Sequence, residues 1–154
     1  MGRREDLLRR EAETWGRIDG VVESLSAAEL VQPSYTVEGW SVKDMMAHVA
    51  AWSNVAAGVL REISAGTWTG HHVSDEPGGT DRLNAEWFER DRELDVDTVR
   101  SEWHASRTSM LEAFGALDEI TPDADEWFEE SGPSHYAEHM PDLERWVRRI
   151  RSHR

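Results

Sequence analysis

At 154 residues the chain has the length of one compact domain, 1–154, with enough material for a buried core and too little for two. Leu, Ile, Val and Phe number only 29 and the formal net charge is −14, which alone describes a disordered chain, but eight Trp and five Met supply the apolar bulk of a fold. Seventeen basic against 31 acidic residues leave no footprint for a phosphate backbone, which excludes nucleic acid as a partner.

Apolar residues at 8, 15, 18, 22 and 25 share one face and predict a first helix over about 4–26. Residues 27–40, with Pro33, Ser34 and Gly39, read as a connection. Ser41-Val42-Lys43-Asp44 has the form of a helix start, in which the Ser oxygen takes an orphan backbone N–H, and predicts a second helix to about Ser64. Residues 65–80 are Gly-rich, carry Pro77 and the pair His71-His72, and read as a long loop able to cover a site. A short helix is expected over 81–92, broken near 94–97, after which Val99, Trp103, Met110, Phe114 and Leu117 mark a third long helix. Residues 119–132 read as an acidic loop. Pro133 suits the first turn of a last helix running to about Arg151, with Ser131 or Gly132 near its cap. Arg145, Arg148, Arg149, Arg151 and Arg154 complement the dipole at its C-terminal end, and Pro141 favours a kink by removing the N–H that would bond the Ala137 carbonyl. With no strand alternation and no repeat, the expected fold is all-α: a four-helix bundle with a long loop and a short extra helix between helices 2 and 3.

The chain has no Cys, so disulfides, thiolate metal sites and an internal thiol nucleophile are excluded, and thiol chemistry needs an outside thiol. No run approaches the roughly 18 apolar residues of a membrane span, and the charged start is not a secretory leader; the expected location is cytoplasmic, with no membrane partner. His135 and His139 lie one turn apart on one face, the spacing with which two imidazoles hold one ion. His48 falls on the inward stripe of Met45, Trp52, Val55 and Val59 and is the third candidate. One buried imidazole is ordinary packing, whereas three from two helices are costly to desolvate unless something binds their lone pairs. Asp142 continues the His135/His139 stripe and either orients a ligand imidazole or is solvated. Glu138, nearer the edge of that face, is either a base or solvated. Trp15, Trp52, Trp103 and Trp146 read as core, while Trp68 and Trp87 flank the long loop, where a ring lines a pocket mouth or plugs the bundle end. His71, His72, His104 and His153 read as polar surface, His71 or His72 being best placed to reach a substrate.

Gly39-Trp40-Ser41-Val42-Lys43-Asp44, followed by Ala47-His48 and Trp52, resembles the second-helix motif of the DinB-like (YfiT-like) metalloenzymes. His135-Tyr136-Ala137-Glu138-His139 resembles their last-helix pair, and together the two motifs carry the likeness over most of the chain. The resemblance implies a four-helix bundle holding a divalent transition metal, zinc, nickel, iron or manganese, on His48, His135 and His139. It also implies chemistry of the kind found among relatives: thiol S-transferases using bacillithiol, mycothiol-dependent maleylpyruvate isomerases, and self-resistance hydrolases. The isomerase group has Glu at the position of His135 and adds a C-terminal domain. The expected function is that of a metal-dependent enzyme activating a low-molecular-weight thiol for transfer to an electrophilic small molecule. A metal-dependent hydrolase and a non-catalytic small-molecule-binding bundle are the alternatives. A homodimer is expected if so Trp-rich a bundle leaves an apolar helix face uncovered.

Overall fold

A computed structural model of the chain describes residues 2–33, 35–36 and 38–153; Ser34 of the connection and Arg154 of the basic cluster lie outside the described residues. Four long helices carry the fold: α1 (Arg3–Glu23), α3 (Val42–Ala65), α5 (Val96–Gly115) and α7 (Pro133–Ser152). Between them lie the short α2 (Ala27–Leu30), α4 (Gly79–Asp91) and α6 (Pro122–Ser131), and a single 3-10 turn at Val73–Asp75. No strand occurs among the described residues, so the chain is an all-α bundle. Helix α3 packs along α5 and α1 along α7, while α6 bridges α3 and α7. No helix is long and apolar enough to cross a membrane.

Several boundaries have a local cause. Ser41 Oγ accepts from the Asp44 N–H at 3.1 Å and Asp44 Oδ2 accepts from the Ser41 N–H at 2.9 Å, a reciprocal cap that starts α3 where the sequence places it. Gly66, at φ +75°, ends α3 in the left-handed conformation that side-chain-bearing residues avoid. The same reciprocal cap between Ser26 and Glu29 builds α2 inside the expected connection. The long loop is also shorter than expected, because α4 begins at Gly79 and the 3-10 turn lies within the remainder.

The acidic stretch read as a loop over 119–132 is instead mostly α6. Thr121 caps it by accepting from the Ala124 N–H at 3.2 Å, Pro122 occupies the first turn, and Asp123 and Asp125 sit where carboxylates favour the positive end of the dipole. Ala124 and Phe128, one turn apart, are buried and anchor it. Helix α7 runs through Pro141 and remains assigned as one helix from Pro133 to Ser152.

The core falls into two apolar clusters. One contains Trp15, Ile18, Met45, Val49, Trp103, Tyr136 and Trp146, and the other Leu7, Leu60, Met110, Phe114 and Phe128. Along α1 the buried face is Leu7, Glu11, Trp15, Ile18 and Val22, so Leu7 rather than Leu8 is the first inward residue. The apolar periodicity misses this because a charged residue, Glu11, occupies the next inward position. Where α1 passes from one cluster to the other stands Glu11, and the corresponding levels of α3, α5 and the α6–α7 corner carry the buried Ser53, Ser106, Ser131 and His135. A polar seam therefore separates the clusters, and one end of it opens into the site.

Candidate metal centre

His48 sits two turns into α3, behind the Ser41/Asp44 cap, and His135 and His139 occupy the first turns of α7. Their Nε2 atoms converge: His135 Nε2 lies 3.0 Å from His48 Nε2 and 3.1 Å from His139 Nε2. All three ligand atoms lie within 4.8 Å of one another. Burial pushes each imidazole below its ordinary pKa: His48 to about 4, with the neighbouring His139 adding to the effect, and His135 well below its usual range. Burial also lowers His139, opposed by the carboxylates of Glu138 and Asp142. Neutral imidazoles keep a lone pair free for coordination.

These residues fit a divalent ion. Two ligand nitrogens about 2.05 Å from a tetrahedral zinc stand about 3.3 Å apart, close to the separations seen here. Hydrogen bonding alone serves the three rings poorly. If His135 Nε2 carries its proton, it donates well to only one of its two neighbours; if Nε2 is bare, the proton sits on Nδ1, which is buried without a partner. A cation takes all three Nε2 lone pairs at once. Among the described residues His135 has no acceptor for its other ring nitrogen, so its orientation comes from packing; Trp40 packs edge-on against the neighbouring His48 at 5.4 Å.

His48 and His135 line an open pocket of about 650 Å³, with His139 beside them. Trp52, Trp68 and Trp127 form its aromatic walls, and Asp123, Glu126, Glu130 and Glu138 are among its polar lining. Trp68, expected to line a pocket mouth or plug the bundle end, is one of the lining residues, its Nε1 donating to Asp123 Oδ2 at 2.8 Å. Trp87 lines a separate narrow cleft beside Trp40 and Phe88 and packs edge-on against Trp52 at 4.9 Å. Trp52, read as core, is a half-buried pocket wall whose Nε1 donates to Asn84 Oδ1 at 2.8 Å, whereas Trp15, Trp103 and Trp146 are buried in the core. Glu138 lines the pocket; Asp142 is exposed and bonded to Arg145, and influences His139 through its charge. His71 lines the pocket, His72 caps the 3-10 turn, and His104 and His153 are exposed. Trp127, Asp123, Glu126 and Glu130 were hidden inside the supposed loop, although Thr121-Pro122 with Ala124 and Phe128 gave a readable helix signal there.

The fold and site thus define a helical-bundle domain that gathers three imidazoles from two helices beneath an open pocket. The chain matches the family model of the mycothiol maleylpyruvate isomerase N-terminal domain over residues 12–150, and it belongs to this family, a DinB-like superfamily domain. The matched span contains all three histidines. No curated protein and no solved structure matches the chain.

Proposed function

We propose that the chain is a metal-dependent enzyme that joins a low-molecular-weight thiol, of the mycothiol or bacillithiol type, to an electrophilic small molecule. The observation that carries this reading is the convergence of three neutral Nε2 atoms beside a pocket that His48 and His135 line, in a chain without Cys. His48, His135 and His139 would hold the ion. When bound, a divalent cation favours the thiolate form of a thiol or the ionised form of a water at neutral pH. The chain's own groups do the rest: the Trp walls confine the electrophile, and Glu138, at the pocket wall near His139, accepts the proton that the thiol sheds. The new bond is sulfur to electrophilic carbon; the shed proton returns to the adduct or leaves with the displaced group. Asp142, held by Arg145, supports His139 in its ligand orientation through charge.

Two measurements test the reading. Elemental analysis of chelator-free protein is expected to find a divalent transition metal, zinc, nickel, iron or manganese, in the wild type and little in His139→Ala. Equal, negligible metal in both would move the reading to a binding module. Incubation of metal-loaded protein with a model electrophile, with and without each thiol, is followed by mass spectrometry. Thiol adducts that His135→Ala abolishes are expected; metal-dependent water addition regardless of thiol would make the protein a hydrolase.

A further inference from the structure

Helix α6 sorts its acidic residues by face. Asp125 is held by Arg3, whose Nε and Nη2 donate to its carboxylate at 2.5 and 2.9 Å, and Glu129 pairs with Arg10 at 2.7 Å, so α1 neutralises one side of the helix. Asp123, Glu126 and Glu130, three and four residues apart, point the other way, into the pocket. Glu138 from α7 and Asp75 from the 3-10 turn join them, and no Lys or Arg lines the pocket among the described residues. Asp123 accepts from the Trp68 indole and Asp75 from the His72 backbone N–H, with the His71 ring 3.9 Å from Asp75, but among the described residues Glu126, Glu130 and Glu138 have neither ion pair nor hydrogen bond. Helix α6 thus pairs two carboxylates of one face with arginines, while the five around the cavity have no Lys or Arg partner among the described residues.

Taking this pocket as the substrate site of the reading above, we propose that it selects a cationic small molecule, one bearing a protonated amine or quaternary ammonium group on an apolar body. The aromatic walls point the same way. Trp52 and Trp68 already spend their N–H groups on Asn84 and Asp123, so what they offer a ligand is ring surface, and Trp68 and Trp127 stand nearly perpendicular, at 87° with centroids 6.3 Å apart. Two rings at right angles present a face and an edge to one volume, and the face of an indole attracts a cation. Carboxylates on low-dielectric walls focus the field into the cavity, concentrating cations and repelling anions. A dicarboxylate such as the maleylpyruvate of the family's name meets the wrong sign of charge here. His48 and His135 line the same pocket, so a ligand seated between these walls lies beside the imidazoles.

The test uses three probes that share one indole and one two-carbon chain length and differ in charge: tryptamine, tryptophol and indole-3-acetate. Each is titrated calorimetrically into chelator-treated and zinc-loaded protein at low and high ionic strength. Tryptamine is expected to bind roughly tenfold more tightly than the neutral probe and to lose most of that margin at high salt. Glu126→Gln combined with Glu130→Gln, at exposed positions that no contact requires, is expected to remove the margin, while Asp125→Asn, on the opposite face, keeps it. Equal affinities for the three probes, tighter binding of the anion to chelator-treated protein, or no binding of any probe would overturn the proposal. Because the preference is read without turnover and in chelator-treated protein, it stands or falls separately from the metal content of wild type and His139→Ala.

Discussion

Glu11 is 1% exposed in the middle of an otherwise apolar helix face, and three hydrogen bonds from two neighbours explain how a carboxylate survives there. Arg107 grips it with two hydrogen bonds of 2.7 Å, and the Tyr136 hydroxyl donates to it at 3.0 Å. Arg107 also lies over the Trp15 ring at 4.8 Å, so the guanidinium is sandwiched between charge and π face. Removing one partner strands the other: Arg107→Ala is expected to cost about 3–5 kcal/mol in urea unfolding, because the Glu11 charge stays buried. Tyr136→Phe removes one bond of three and should cost about 1–2 kcal/mol. Similar losses in the two variants would show that packing, not charge, dominates this level of the core. The imidazoles behave oppositely, being buried without a counter-charge. Their folded pKa values lie below the ordinary 6.5, to about 4 for His48, so as pH falls below 6.5 the unfolded chain takes up protons that the folded chain refuses. Chelator-treated protein should therefore lose thermal stability progressively from pH 6.5 toward 4. A His48→Gln/His135→Gln/His139→Gln variant should show a flatter profile over that window, and identical calorimetric profiles would exclude the imidazoles as the cause.

At the scale of elements, the α6–α7 corner decides where two of the three imidazoles stand. Gly132 is at once the end of α6 and the start of α7, and a Cβ there would meet the Phe128 carbonyl oxygen at 2.8 Å and Met110 Cε at 3.4 Å. The backbone oxygen cannot yield as a flexible side chain does. Gly132→Ala is expected to destabilise by about 1–3 kcal/mol and to weaken metal binding, since His135 follows only three residues later. Unchanged Tm and metal content would show that the corner tolerates a wider turn. Phe128 stacks on Phe114 with centroids 4.0 Å apart and holds α6 to α5. Phe128→Ala should cost about 3–5 kcal/mol. Lys43 ties a further corner, its ammonium donating to the carbonyls of Arg92 and Leu94 and so fixing the turn between α4 and α5 against the start of α3.

For the whole molecule, the composition that looked disordered is resolved by where the tryptophans go. Trp15, Trp103 and Trp146 fill the core, and Trp52, Trp68 and Trp127 wall the pocket. The homodimer that we propose would rest on polar and half-buried surface, since the large hydrophobics exposed among the described residues are Val31 and Val73, on different segments. Light scattering across the micromolar range checks it: twice the chain mass is expected, and a monomer mass removes it. The long helices, the Ser41 cap and the two histidine motifs were legible in the sequence because periodicity, capping and i, i+4 spacing are local, acting within one or two turns. Helix α6 was equally local but masked by its charge, and Glu11 escaped because a charged residue breaks an apolar pattern. What only the tertiary structure decided is which like residues receive partners. Asp123, Asp125, Glu126, Glu129 and Glu130 are interchangeable by composition, yet Arg3 and Arg10, more than 110 residues away, neutralise two of them and leave the other three facing the imidazoles. The first kind of information is carried by neighbours along the chain, and the second arises only when packing brings distant helices together.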